Sequence, residues 1–268
     1  MTTSLSPTAS LRMGLMLTRL AWLLVRGSLT TALRFPALDG TTRKHAIRAW
    51  SHATLRACGM DIEISGTPST AACLLAINHV SWLDIIALNA AHPTRFVAKA
   101  DVDRWPVLGR LARGVGTLFI ERERPRDAMR VMHDMAACLR GGEHVSVFPE
   151  GTTSDGAELL PLHANLFQAA VSAEVPVQPV LLRYLDATSA EPSSAPAYVG
   201  DDTILDTLRR IASAPRLRVQ VHYLPPVHGA ERRALAQAVQ HCLTHALRAP
   251  VATLAEPALA AEPPPFLR

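Results

Sequence analysis

The chain has 268 residues, 49% of them hydrophobic, which is enough to bury a large core within one domain. Its formal net charge is +4, but aromatic residues make up only 5% of the chain and no Lys/Arg tract alternates with them, so a nucleic-acid partner is not expected. The four cysteines form no C-x-x-C pair, which indicates buried thiols in a reducing compartment.

The first predicted element is a basic helix near the N-terminus. Arg12, Arg19 and Arg26 recur every seven residues, so at about 100° per residue they share one face of a helix, while apolar residues cover much of the rest. The arginines divide the segment into pieces shorter than the roughly 20 apolar residues of a typical membrane span. A second basic helix follows a break at residues 36–40. Together they predict an amphipathic helical hairpin over residues 1–58 that lies on an anionic membrane surface.

Two other interpretations of this hairpin stay open. Both helices could pack on the core with their arginines in water, or the first helix could be a kinked transmembrane anchor. The apolar run is interrupted too often for a secretory signal peptide. We therefore expect a peripheral or monotopic protein at the cytoplasmic face of the inner (plasma) membrane.

From Asp61 onward, short β-type runs alternate with helical ones. This alternation predicts an α/β domain over residues 59–248, with a mixed, largely parallel sheet flanked by helices and with chemistry in the loops at strand ends. The predicted strands are DIEIS, CLLAIN, RFVAK, TLFIE, VSVFP, VQPVLLR and LRVQVHY. The intervening helices are expected at about residues 82–90, 104–114, 126–140, 158–173, 201–212 and 230–247. Residues 249–268, rich in proline and alanine, are expected to form a disordered tail.

A histidine and an aspartate stand between a predicted strand and a predicted helix, in the run AINHVSWLD. Within one regular helix a five-residue offset would turn His79 and Asp84 about 140° apart, so they can meet only if His79 lies on the connecting turn. There the carboxylate would fix the imidazole tautomer while the other ring nitrogen takes a proton from a hydroxyl, a general base worth roughly 10²- to 10⁴-fold in rate. The alternative is a helix capped by Asn78 and Ser81, with His79 on the surface.

Three further stretches place polar or charged residues at predicted strand ends, or mark a buried strand. The run FPEGTTSDG offers main-chain N–H groups and hydroxyls that suit a polar or anionic headgroup. Arg122 follows the strand TLFIE and could clamp a phosphate or carboxylate, and Lys99 is similarly placed after RFVA. The run VPVQPVLLR indicates a buried strand that could line an acyl tunnel or simply fill the core.

Taken in this order, the four stretches resemble the motifs of the glycerolipid acyltransferase family, which contains bacterial lysophosphatidic acid acyltransferase. The resemblance covers about residues 60–185, and four motifs in the same order are far more specific than any one of them. The N-H-x-S-x-x-D motif is complete at Asn78, His79, Ser81 and Asp84, the F-P-E-G-T box is residues 148–152, FIER is residues 119–122, and V-P-V-x-P-V is residues 175–180.

The resemblance implies transfer of a fatty acyl group from a thioester, on acyl carrier protein or coenzyme A, to the hydroxyl of a lysolipid at a membrane surface. It implies that His79 is the base, that Asp84 orients it, and that residues 177–180 lie near the acyl chain. No metal and no cofactor other than this co-substrate are expected. The headgroup of the acceptor would be held by Arg122, Glu150, Gly151 and Thr152, with Lys99 and Thr153 beside them.

One departure from the family pattern concerns the headgroup. Members that act on phosphatidic acid precursors usually continue E-G-T-R-S, whereas this chain has EGTTS, with Thr153 in place of the arginine. Loss of that guanidinium would weaken phosphate binding by about 1.5 to 3 kcal/mol. The run from Phe148 also resembles the lyso-ornithine lipid acyltransferase branch, whose acceptor has no phosphate. Both acceptors stay open, because Arg122, Arg124 and Lys99 could still supply positive charge.

Two other functions are compatible with the sequence. A thioesterase would use water as the nucleophile and would release thiol without an acceptor. A non-catalytic membrane-binding module would keep the basic hairpin with a relict site, although the intact histidine and aspartate argue against it.

Overall fold

A computed structural model describes residues 6–121 and 124–251, and seven strands lie within those ranges. The strands are β1 Met60–Gly66, β2 Leu74–Ile77, β3 Arg95–Lys99, β4 Leu118–Ile120, β5 Val145–Val147, β6 Val177–Asp186 and β7 Leu217–Tyr223. Each falls within or overlaps one of the seven predicted runs. The predicted α/β class is therefore confirmed.

The seven strands form one mixed sheet in the order β1-β7-β6-β2-β5-β3-β4. All neighbouring strands are parallel except β6 and β7, which are antiparallel, so the sheet is largely parallel as predicted. Every residue of β2 and β5 is buried, as expected for central strands covered on both faces. The parallel pairing brings the carboxyl ends of β2, β5, β3 and β4 to one edge of the sheet.

Helices cover both faces of this sheet, each over its own hydrophobic cluster. One cluster joins the sheet to α1, α2, α3 and α8, and the other joins it to α6, α7 and α9. The helices are α1 Pro7–Leu29, α2 Gly40–Ala57, α3 Leu83–Ala91, α4 Ala100–Asp103, α5 Leu108–Gly114, α6 Pro125–Arg140, α7 Gln168–Ala173, α8 Ile204–Ser213 and α9 Arg232–Arg248. A π-helical turn, Thr30–Arg34, and a 3₁₀ turn, Phe35–Ala37, continue α1, and a 3₁₀ turn, Ala164–Phe167, precedes α7.

Two of the predicted helices are wrong in part. The prediction for residues 158–173 fails over its first six residues, because two main-chain N–H groups there donate to distant side chains, Leu160 to Glu150 at 2.8 Å and Leu162 to Gln240 at 3.0 Å. The prediction for residues 104–114 fails over its first four residues, which lie between α4 and α5. Pro106 lies in that gap, where its ring restricts the preceding residue and it has no N–H to donate.

The N-terminal helices pack together and against the α/β core. The indole Nε1 of Trp50 on α2 donates to the carbonyl of Leu23 on α1 at 2.8 Å. A Cβ at Gly27 would lie 2.8 Å from that same nitrogen, so the contact requires glycine. Met13 and Met16 of α1 belong to the hydrophobic cluster that also contains β1 and α3 residues. Core packing therefore crosses the predicted boundary at residue 58.

The opposite face of α1 is apolar and exposed. Leu11 is 67% exposed and Trp22 is 59% exposed, and Leu15, Val25 and Leu29 fall in the same arc of about 80° on the helix. The continuous helical segment Pro7–Ala37 is long and apolar enough to cross a membrane by length and composition alone. Of the predicted tail, the described residues include only 249–251; the rest lies outside them.

Candidate active site

His79 and Asp84 meet across the turn between β2 and α3. The imidazole Nδ1 of His79 lies 2.8 Å from Asp84 Oδ2. The same carboxylate oxygen accepts the main-chain N–H groups of Val80 at 2.7 Å and Ser81 at 2.9 Å, so Asp84, in the first turn of α3, folds back over the turn that carries His79. The contact therefore has the geometry expected of a connecting turn, and its catalytic role stays a prediction.

Asn78 holds the start of this turn against β6 instead of capping α3. Its Nδ2 donates to the carbonyl of Leu182 at 3.0 Å, and the Leu182 N–H donates to its Oδ1 at 2.7 Å. Because β2 pairs with β6 only as far as Ile77, the Asn78 amide extends that ladder with a side chain. The main chain just before His79 is thereby fixed to a central strand.

Asp84 is completely buried and receives a further hydrogen bond from β6. The hydroxyl of Tyr184 donates to Asp84 Oδ1 at 2.7 Å, so the carboxylate has four donors around it. Burial, together with the adjacent Asp84 carboxylate, raises the pKa of Tyr184 well above its ordinary value. The phenol therefore stays protonated and remains a donor. This many donors compensate for removing a carboxylate from water.

The turn after β5 supports His79 from the other side. The ring of Phe148 stacks on the imidazole with centroids 3.9 Å apart and an interplanar angle of 14°. Glu150 accepts the main-chain N–H of His79 on Oε1 at 2.6 Å and that of Leu160 on Oε2 at 2.8 Å. It is 4% exposed, and burial raises its pKa. Both oxygens are directed into the protein, in contrast to the headgroup contact that the family resemblance implies.

The last two residues of the box and Thr153, which follows it, have different surroundings. Gly151 has φ of 75°, in the left-handed region that favours glycine, and its N–H donates to the carbonyl of Phe148 at 3.1 Å. Thr152 is exposed. The hydroxyl of Thr153 donates to the carbonyl of Tyr198, whose own N–H donates to Val80 at 2.9 Å. Thr153 thus ties the segment around Tyr198 to the turn that carries His79.

The other two predicted binding residues follow neighbouring strands. Lys99 ends β3, with a side chain 66% exposed and its Nζ 2.8 Å from Asp101 Oδ2. The sheet order places β3 two strands from β2, roughly 10 Å away at the same edge. Arg122 lies outside the described residues, directly after Glu121 at the end of β4.

This arrangement has the features of a general base. When Nδ1 donates its hydrogen to Asp84, the lone pair of the neutral imidazole is on Nε2. The His79 side chain keeps 20% of its surface exposed, whereas Asp84 has none. A hydroxyl that approaches from solvent can therefore reach the imidazole, and the buried carboxylate can stabilise the imidazolium that forms.

Comparison with known proteins identifies the family. The family model described as Acyltransferase matches residues 61–183. A 1-acyl-sn-glycerol-3-phosphate acyltransferase of Neisseria gonorrhoeae is 37% identical over 207 residues, which cover 75% of this chain and 80% of that protein. The chain belongs to the acyltransferase family.

Two further comparisons extend this result for the acyltransferase. A lyso-ornithine lipid O-acyltransferase of Pseudomonas aeruginosa is 35% identical over 217 residues, 80% of this chain and 83% of that protein. The crystal structure of the 1-acyl-sn-glycerophosphate (LPA) acyltransferase PlsC from Thermotoga maritima superposes with a TM-score of 0.66 at 17% identity, covering 88% of this chain and 93% of that one. The structural match shows that the fold is shared.

Sequence reasoning missed the contribution of Tyr184 to the acyltransferase site. A tyrosine in a strand predicted to be buried needs a partner for its hydroxyl, which was the available signal, but the partner lies 100 residues earlier. The residues expected near the acyl chain lie in the core: Val177 and Val180 are both completely buried, in the hydrophobic clusters on opposite faces of the sheet.

Proposed function

We propose that this acyltransferase transfers a fatty acyl group from a thioester to the hydroxyl of a lysolipid, with His79 as the general base. The observation that carries the proposal is the bond between His79 Nδ1 and the buried Asp84. It leaves Nε2 as the basic atom on a partly exposed ring. The names of the two bacterial relatives supply the substrate class.

In the proposed reaction, His79 Nε2 first accepts a proton and later gives it back. The acceptor hydroxyl gives its proton to His79 Nε2 as its oxygen bonds to the thioester carbonyl carbon. The tetrahedral intermediate then collapses, the carbon–sulfur bond breaks, and the departing thiolate takes the proton back from His79. Asp84 stabilises the imidazolium between these steps. Glu150 acts as a positioning residue in this scheme, because its carboxylate holds the His79 main chain.

We propose lyso-ornithine lipid as the preferred acceptor, with 1-acyl-glycerol-3-phosphate as the second candidate. The supporting observation is that Thr153 carries no charge and donates its hydroxyl to the carbonyl of Tyr198. The position that resembles the arginine of phosphate-using members therefore brings no cation to the headgroup. Arg122 and Lys99 are the proposed cations for either acceptor, with the exposed Thr152 beside them.

We further propose that the protein works on a membrane surface, at its cytoplasmic face, with acyl carrier protein or coenzyme A carrying the donor. The exposed arc of α1, which includes Leu11, Leu15 and Trp22, would enter the interface. Arg12 and Arg19 flank that arc on the helix, where their guanidinium groups can reach lipid phosphates. Because the opposite face of α1 packs on the core, we propose that the helix lies in the plane of the membrane.

The test measures thiol release from acyl-carrier-protein and acyl-coenzyme-A thioesters, with a panel of lysolipids in detergent micelles. We expect release that requires a lysolipid and that His79→Ala abolishes. His228→Ala, an exposed histidine after β7, is the matched control and should retain full activity. Release without any acceptor would indicate a thioesterase, and no turnover with any donor and acceptor would indicate a non-catalytic module. Full turnover by His79→Ala would refute the assigned base.

A further inference from the structure

A cavity of about 370 Å³ that His79 does not line lies where α1 meets the end of α2, the start of β1 and the end of α8. Its lining includes four arginines, contributed by three separate segments. These are Arg12, Arg19, Arg56 and Arg216. Asp61 also lines it, so among the described lining residues the guanidinium groups outnumber the carboxylate by three. The cavity is therefore strongly cationic.

Two of these guanidinium groups are already engaged and two are not. Arg216 pairs with Asp61 at 2.7 Å, and Arg12 donates to the carbonyl of Ala214 at 3.3 Å. The side chains of Arg19 and Arg56 make no ion pair or hydrogen bond with the described residues. Each offers a planar fork of donors that matches the oxygens of a phosphate.

The rest of the lining is apolar and leads to the exposed face of α1. Leu15 both lines the cavity and is 49% exposed, and Met16, Met60 and Ile211 form the apolar wall behind the arginines. A ligand with an anionic head and an apolar body fits this combination better than a small inorganic ion. An acidic protein surface would be attracted to the arginines but would leave the recessed apolar wall unfilled.

We propose that this cavity binds the headgroup of an anionic phospholipid from the bilayer, at a second lipid site distinct from the reaction site. The proposal rests on the membrane-surface part of the proposed function, because the α1 arc then brings the cavity to headgroup level. The strand order separates β1 from β2 by three strand spacings, roughly 14 Å, so a headgroup held here would lie apart from the His79 turn. A lipid held between α1, α2 and α8 would fix the rotation of the protein on the membrane.

The test uses the full chain and dihexanoyl phosphatidylglycerol below its micelle concentration, titrated by calorimetry. The double substitution Arg19→Gln with Arg56→Gln should weaken binding at least about tenfold, since each lost charge-assisted contact is worth that order of affinity. The matched control, Arg34→Gln with Arg110→Gln, removes the same net charge from exposed residues outside the cavity and should change affinity less than about twofold. Asp61→Asn should tighten binding, because it releases Arg216.

Three outcomes would overturn the proposal. Equal weakening by both double variants would mean general charge attraction, and equal affinity for inorganic phosphate would mean a free-anion site. If the Arg19→Gln, Arg56→Gln variant lost binding to acidic acyl carrier protein but still bound the lipid normally, the cavity would be a protein-docking site. The melting temperature of each variant shows whether it is folded. Misfolding also cannot explain the tighter lipid binding that is expected for Asp61→Asn. The titration needs no acyl transfer, so absence of thiol release would reject the proposed reaction without affecting this result.

Discussion

The hydroxyl of Tyr184 offers a clean test of how the site is supported. Tyr184→Phe removes one oxygen from a residue that is 4% exposed, and it leaves the ring and its packing unchanged. The lost bond is the 2.7 Å donation to Asp84 Oδ1. Asp84 Oδ2, the oxygen that faces His79, keeps both of its main-chain donors. The substitution therefore weakens the support of the carboxylate without removing its contact with the imidazole.

The expected cost follows from the charge and burial of the acceptor. A hydrogen bond to a charged group contributes about 1.5 to 3 kcal/mol, and here the orphaned lone pair has no access to water. For a chain of this length, that loss corresponds to a fall in Tm of about 3 to 5 °C. We expect kcat to fall by less than the loss caused by His79→Ala, since the general base itself is retained.

Tyr223→Phe is the matched control for this measurement. Tyr223 is 1% exposed, and its hydroxyl is buried with no hydrogen-bond partner among the described residues. Removing that hydroxyl eliminates a desolvation cost, so thermal unfolding should show an unchanged or higher Tm. Only Tyr184→Phe, of these two chemically identical substitutions, should therefore lower the stability. Equal effects, or a Tyr184→Phe protein as stable and as active as the wild type, would refute the role of the Tyr184 hydroxyl.

Three further predictions concern residues around the sheet. Glu150→Gln should lower stability by about 1 to 3 kcal/mol and kcat by at least about tenfold in acyl-transfer assays, because the two main-chain N–H groups bond to different oxygens of Glu150 and one of those positions becomes an NH₂ that faces a donor. Burial, with His144, Lys44 and Arg48, lowers the pKa of His92 from 6.5 to about 4, so its neutral form stabilises the fold above pH 6.5 and this contribution is lost as pH falls towards 4. Urea midpoints at pH 7 and pH 5 should therefore differ less for His92→Gln than for the wild type. Thr153→Val should cost about 0.5 to 1.5 kcal/mol and leave the ratio of rates with the two acceptors unchanged, because the hydroxyl serves Tyr198; an altered ratio would mean that it contacts the headgroup.

The parts of the fold that could be predicted are those with local causes. All seven strands were predicted because short apolar runs between polar segments are sufficient to identify buried strands. The helix predicted over residues 158–173 fails where Leu160 donates to Glu150 and Leu162 to Gln240, two contacts that depend on other parts of the chain. Sequence periodicity cannot show that a main-chain N–H has a distant acceptor.

The candidate site divides in the same way. His79 and Asp84 are five residues apart, so turn geometry alone was enough to predict that they could meet. Tyr184 reaches Asp84 only because β6 lies beside β2, and Glu150 reaches the His79 main chain only because β5 lies on the other side of β2. The family resemblance assigns Glu150 to the headgroup. Its position in the structure is explained by its support of the base.

These contacts make the base inseparable from the order of the central strands. A completely buried carboxylate is destabilising unless donors surround it, and the donors of Asp84 come from its own turn and from β6. The imidazole it orients is held in turn by the ring and the carboxylate that follow β5. Because β2 lies between β6 and β5, a shift of either neighbour would expose or orphan part of this network. The parallel pairing of these three strands is thus the structural condition for a basic Nε2 on His79.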